Sequence, residues 1–135
     1  MEIMTDIQYP CSTPYDTMVY FAKVRDNAII PTKREEDGCY DIYPYFDEVY
    51  IKIEPHALKL IPTGIATALD SRYMFEIRER GSNTKSALSV RAGEIDSGFR
   101  GEWFIALRNE NDIPVYITKE IDEFSKGSKY IIVPY

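Results

Sequence analysis

Apolar and polar side chains alternate along Val49, Ile51 and Ile53 against Tyr50, Lys52 and Glu54. That period of two belongs to a β-strand with one buried face. Tyr73, Phe75 and Ile77 against Met74, Glu76 and Arg78 repeat the pattern, as do Trp103, Ile105 and Leu107 against Phe104, Ala106 and Arg108. Shorter candidates are Met18 to Lys23, Cys39 to Tyr43, Leu58 to Ile61, Ile65 to Leu69, Leu88 to Val90, Val115 to Thr118 and Tyr130 to Val133. Pro31, Pro44, Pro55, Pro62-Thr63-Gly64, Gly81-Ser82-Asn83, Pro114 and Gly127-Ser128 punctuate them. Helical spacing is confined to a turn or two over Lys119 to Phe124. Many short strands in 135 residues predict one all-β domain over 1–135, a sandwich or barrel for which the jelly roll is the natural form. The first sixteen residues, with Pro10 and Pro14, are expected to form an extended arm ahead of the first strand.

Acidic residues outnumber basic ones by 22 to 16, a net charge of −6. Such a surface repels a phosphate backbone or an anionic membrane, so neither nucleic acid nor membrane is expected as a partner. A single phosphorylated metabolite needs only a local cluster of donors or a bridging cation. No charged start leads into an apolar stretch and no long apolar run occurs, which predicts a cytoplasmic protein. Cys11 and Cys39 lack the spacing of a disulfide framework or a C-x-x-C motif and are expected to be reduced thiols. The single histidine, His56, follows Pro55 at a strand end and leaves no multi-histidine metal site.

The stretch from Ala92 to Trp103 sets an acid, Asp96, and an aromatic, Phe99, among Gly93, Gly98 and Gly101. Glycine tolerates positive φ and close backbone approach, so a tight, exposed hairpin turn is expected here. From fixed positions on it, a carboxylate can handle a water or hydroxyl while a flat ring covers a sugar or base. A plain β-hairpin with a solvated aspartate has the same composition.

Three segments, in order, resemble the motifs of the trimeric dUTP pyrophosphatase (dUTPase) family, in its phage and Gram-positive-like branch. Gly38-Cys39-Tyr40-Asp41-Ile42 is similar to the first motif, with Cys39 where glycine is usual. The resemblance implies that Asp41 orders waters and phosphate-binding groups at a metal site. Arg80-Gly81-Ser82-Asn83 resembles the phosphate-binding Arg-Ser-Gly turn, with Glu79 in place of proline and Gly81 in place of serine. Backbone N–H groups and a hydroxyl of Gly81, Ser82 and Asn83 can meet a phosphate there, with Arg80 or Lys85 for charge. Gly93-x-Ile95-Asp96-Ser97-x-Phe99-Arg100-Gly101 resembles the third motif, Gly-x-Ile-Asp-x-x-Tyr-x-Gly. This implies a hairpin with Gly93 and Ile95 enclosing uracil, Asp96 activating the attacking water, and Phe99 packing on deoxyribose.

The same resemblance implies a distorted jelly-roll β-barrel, a homotrimer with shared active sites, dUTP as substrate, and Mg²⁺ held mainly through the triphosphate without a protein metal ligand. The family's Ile-Ala-Gln motif and its glycine-rich closing segment have no counterpart among these residues, which is read as a domain lacking its C-terminal arm. Two alternatives stand beside hydrolysis. One is a nucleotide-binding or regulatory module with weak or no catalysis. The other is a dCTP deaminase-like enzyme, which shares an Ile-Asp-x-Gly-Phe hairpin but needs a glutamate where this chain has Ala106. An alanine moves no protons. Trp103 is expected in the core or at a subunit interface, Tyr40, Tyr43, Tyr45 and Tyr50 on a packed surface, and Glu35-Glu36-Asp37 in a solvated loop.

Overall fold

Strands form along the alternating runs. The computed structural model describes residues 6–10, 18–80, 87–118 and 131–134. Its strands are β1 (Asp6–Pro10), β2 (Met18–Lys23), β3 (Tyr50–Ile53), β4 (Leu58–Pro62), β5 (Ile65–Ala68), β6 (Met74–Glu76), β7 (Leu88–Arg91), β8 (Glu94–Asp96), β9 (Phe104–Asn109), β10 (Val115–Thr118) and β11 (Ile131–Pro134). Among the described residues there is no helix, and so none long and apolar enough to cross a membrane. Three expectations change. Cys39 to Tyr43 is not a strand: Asp41 makes one antiparallel bridge to Thr32, and Pro31 and Pro44 close to the pair each lack the N–H that a longer ladder needs. Asp6–Pro10, placed in an extended arm, is a strand paired antiparallel to β2, with Asp6 opposite Phe21 and Ile7 opposite Tyr20. Val49, put on the buried face by alternation, precedes β3 in a bend and is 55% exposed. Lys119 to Phe124 and Cys11 lie outside the described residues.

The chain divides into two compact units, each discontinuous in sequence. The first comprises Met1–Tyr45, Pro62–Glu76 and Glu94–Phe104. It contains the sheet β1-β2-β5 and the pair β6-β8. Phe21 and Ala22 are buried on β2, and Ile65, Ala66 and Thr67 are buried in succession on β5. A strand enclosed on both faces shows no alternation, and small residues let neighbours approach it. The buried Thr67 hydroxyl accepts the indole N–H of Trp103 at 3.1 Å, so the cost of burying it is offset. Trp103 is buried as expected and meets Phe75 edge-on, with ring centroids 4.9 Å apart.

Gly64, in the turn between β4 and β5, has φ +70°. A Cβ there would stand 2.6 Å from that of the buried Ala28. Gly64→Ala is expected to cost about 2 kcal/mol or more, since the left-handed conformation alone costs about 1–2 kcal/mol and the clash adds to it. A fall in urea midpoint at unchanged m-value checks this. Adding Ala28→Gly should return the clash portion only; full recovery would mean that the backbone conformation costs nothing.

The second unit comprises Phe46–Ile61, Ile77–Gly93 and Ile105–Tyr135. Its strands are ordered β11-β10-β3 and β4-β9-β7. β10 runs antiparallel to β3, with Val115 opposite Ile53 and Ile117 opposite Ile51, and parallel to β11. Phe46, Ile51, Ile53, Ile61, Leu88, Val115 and Ile117 form its core, with Ile105 and Leu107 packed against them. Burying such a side chain stabilises by about 1.5–3 kcal/mol. Asn109 is the polar centre of this unit, with no exposed surface. Its Nδ2 donates to the carbonyls of Ile53 at 3.0 Å and Ile113 at 2.8 Å. Its Oδ1 accepts the backbone and side-chain N–H groups of Asn111, both at 2.9 Å. Arg91 at 3.2 Å, Arg108 at 2.9 Å and the Ser89 hydroxyl at 3.0 Å converge on one oxygen of Glu110. The serine hydrogen bond leads in holding that carboxyl below its usual range; burial opposes it, and Arg108 and Arg91 add to the lowering. His56 stands in the Glu54–Ala57 turn with φ 57°, its ring 2.8 Å from Asp112. The strand-end placement expected of it is what the backbone shows.

Candidate functional site

Asp96 is the last residue of β8, whose partner is β6: Met74 stands opposite Asp96, Phe75 opposite Ile95 and Glu76 opposite Glu94. The sequence suggested a hairpin closed within 92–103, but the ladder is made with residues some twenty positions earlier. Beyond Asp96 the chain makes a tight turn in which the Phe99 N–H donates to the Asp96 carbonyl at 3.1 Å. Ser97 and Gly98 occupy its centre, and the Asp96 and Phe99 side chains are both exposed, Phe99 by 45%. Arg100 caps the turn. Its Nη1 donates to the Ser97 carbonyl at 2.5 Å and to those of Phe99 and Thr67 at 3.4 Å.

The glycines do not act as expected. Among the described glycines only Gly64 has positive φ, and the left-handed positions flanking β7 are Ala87 and Ala92, each with φ 51°. Gly98 has open space around it. Gly101 has a different neighbour: a Cβ there would lie 2.7 Å from Cζ of Phe99. The ring tip rests against the bare α-carbon of the glycine two residues on.

Below the turn, Glu102 uses both carboxylate oxygens. Oε1 accepts Arg25 Nε at 3.0 Å and Oε2 accepts the Gly64 N–H at 3.1 Å. Arg25 also lies over the Tyr45 ring, 5.1 Å from its centroid. The Trp103 N–H donates to the Ile65 carbonyl at 2.9 Å, while the Trp103 carbonyl accepts the N–H of Thr63 at 3.2 Å and its hydroxyl at 2.8 Å. The segment after the turn is therefore tied to Thr63, Gly64 and Ile65, the connection into β5 and its first residue. A partly buried ion pair with a further backbone hydrogen bond holds a loop more firmly than an exposed pair does.

Asp41 is half-buried in the first unit, held by reciprocal backbone bonds with Thr32 of 2.7 and 3.1 Å. Ile95 is half-buried on β8. Gly93 and Arg80 belong to the second unit. A Cβ on Gly93 would come within 2.5 Å of the Ile77 carbonyl oxygen, and the Ile77 N–H donates to the Gly93 carbonyl at 2.7 Å. Close backbone approach thus explains Gly93. Glu79, beside exposed Arg80, accepts the Val90 N–H at 3.1 Å, and that bond leads in holding its carboxyl below the usual range. Gly81, Ser82, Asn83 and Lys85 lie outside the described residues. Ala106 is buried on β9 opposite Arg91. Tyr40 packs on Phe21, Tyr50 on Tyr116, and the Tyr43 hydroxyl bonds Thr32. Arg34 and Asp37 pair in a solvated turn, as the charge pattern suggested.

Arg25, Gly64, Arg100 and Glu102 were not among the site residues expected from the sequence. Glu102 beside Trp103 was the nearest signal, a charge next to a residue assigned to the core. Arg25 carries no local signal, since its partner lies 77 residues away.

No family model matches the chain. Known proteins do. The deoxyuridine 5'-triphosphate nucleotidohydrolase of Leptospira interrogans is 36% identical over 98 residues, covering 70% of this chain and 67% of that protein. That of Helicobacter pylori is 33% identical over 95 residues, covering 67% of this chain and 63% of its own length. Among solved structures, the dUTPase of S. aureus phage phi11 aligns with a TM-score of 0.63 at 25% identity, covering 69% of this chain and 60% of that one. The dUTPase of Staphylococcus bacteriophage 80alpha aligns with a TM-score of 0.62 at 24% identity over 70% and 60%. A mutant of the phi11 protein coordinates a structural Mg(II) ion. The chain thus spans about two thirds of the Leptospira protein and about 60% of the phage proteins. All-β structure, the jelly-roll-type likeness to these proteins and the sequence identity agree: the chain belongs to the deoxyuridine 5'-triphosphate nucleotidohydrolase (dUTPase) family.

Proposed function

We propose that this chain hydrolyses dUTP to dUMP and pyrophosphate with Mg²⁺, which limits uracil incorporation into DNA. The observation that carries this is the turn after β8, which holds an exposed carboxylate and an exposed ring three residues apart on a backbone tied to β5. Asp96 takes a proton from a water whose oxygen bonds to the α-phosphorus. The bond from that phosphorus to the α–β bridging oxygen breaks, and pyrophosphate leaves with the electron pair. Phe99 covers the deoxyribose, Gly93 and Ile95 flank uracil, and Arg80, Gly81, Ser82, Asn83 and Lys85 meet the phosphates. Mg²⁺, when bound, offsets the negative charge of the triphosphate. The donor chemistry suits it: Asp41 is an oxygen ligand of the kind a hard cation accepts through water, and Mg²⁺ commonly takes substrate phosphates with few protein carboxylates. A homotrimer with shared sites, in the cytoplasm, belongs to the same proposal.

The test is incubation of the protein with Mg²⁺ and either dUTP or dCTP. Pyrophosphate from dUTP is the expected product. Ammonia from dCTP would establish deamination instead, and analogue binding without either product would establish a nucleotide-binding module. The ring's role has its own prediction: Phe99→Ala should narrow the preference for dUTP over UTP by about tenfold. Steady-state kcat/KM on both nucleotides reads it, and an unaltered ratio would remove Phe99 from sugar selection.

A further inference from the structure

Gly101 lies beneath the Phe99 ring, and its missing side chain decides where that ring can rest. A Cβ at position 101 would stand 2.7 Å from Cζ, 3.1 Å from Cε1 and 3.4 Å from Cε2 of Phe99. These are the far atoms of the ring, so that end of the phenyl lies nearest the glycine. Something must move if the Cβ is added. The backbone is the stiffer party, because bonds hold it on both sides of the contact. The Phe99 N–H is bonded to the Asp96 carbonyl, and the Arg100 guanidinium spans the carbonyls of Ser97, Phe99 and Thr67. Glu102 is tied to Arg25 and Gly64, and the Trp103 N–H to Ile65. The ring, 45% exposed, is the part free to swing.

We infer that Gly101 is the positioning residue for sugar selection, acting as a bare seat that sets how far the Phe99 ring stands from its own loop and hence from a bound sugar. This rests on the proposed role of Phe99 and goes beyond it. Deoxyribose and ribose differ by one hydroxyl, and rejecting that hydroxyl by shape requires a ring placed to within a fraction of its own thickness. A methyl group at 101 pushes the ring outward without breaking a backbone hydrogen bond of the turn.

The experiment is a double-mutant cycle of Gly101→Ala and Phe99→Ala, read as the ratio of kcat/KM for dUTP to that for UTP, with the urea midpoint and Trp103 emission as checks of folding. Gly101→Ala alone should lower the ratio by about tenfold. In the Phe99→Ala background the same change should alter it by less than about twofold, because the ring on which it acts is gone. A loss merely structural in origin would persist without the ring, and that outcome overturns the inference. So does an unchanged ratio in Gly101→Ala when Phe99→Ala lowers it. Should the alanine unfold the loop, NMR of the unaltered protein decides the seat. A ring-current displacement of the Gly101 α-proton shifts, of either sign, that disappears in Phe99→Ala supports it; shifts that are the same in both proteins overturn it. Failure of the parent role is distinguishable, because Phe99→Ala would then leave the ratio untouched while the α-proton shift still reports the seat.

Discussion

Asp96→Asn is expected to lower dUTP turnover by about 10²- to 10⁴-fold, the usual worth of a positioned general base. The substitution keeps the side chain's size while removing its negative charge and its capacity to take up a proton. The turn should survive, because the Asp96–Phe99 bond and the register with Met74 are made by backbone atoms. Affinity for a non-hydrolysable dUTP analogue should therefore stay near that of the unaltered protein while pyrophosphate release falls. Turnover unchanged within about threefold would place the base on another residue. Loss of analogue binding together with turnover would mean that Asp96 holds the nucleotide rather than the water.

Asn109→Ala has the largest expected effect on stability, about 3 kcal/mol or more. The side chain is wholly enclosed and makes four hydrogen bonds, two given to the carbonyls of Ile53 and Ile113 and two taken from Asn111. Alanine leaves those carbonyls without their donor, and an unsatisfied buried group costs about 1–3 kcal/mol. Asn109→Asp should also destabilise, since a carboxylate offers acceptors where the carbonyls need donors. Urea denaturation at constant m-value measures both. A loss under about 1 kcal/mol for the alanine variant would show that water enters and replaces the amide.

Particular residues show how far each level was legible. β2, β7 and β10 were readable to within a residue because a short β-prone run marks a strand even where it is enclosed and shows no alternation. β1 was not, since its ladder with β2 depends on backbone pairing rather than on an apolar pattern. Asp96 and Phe99 were legible as an acid and a ring at a fixed spacing. Their supports were not: Arg25 and Glu102 meet across 77 positions, and the indole of Trp103 finds Thr67 across 36. Ala87, Ala92 and His56 adopt the left-handed backbone expected of glycine, so tertiary context overrode a local steric preference at three described positions.

By itself the sequence determined the all-β class, most of the strand positions, the family resemblance and the acid and ring on which a hydrolytic site would be built, because each depends on short-range pattern or on residue type. Tertiary structure decided which strands pair, why β8 lies against β6 instead of closing a local hairpin, and why Gly101 matters as a space rather than a conformation. Those properties depend on what a distant segment brings to within a few ångströms, and a one-dimensional pattern does not carry that distance.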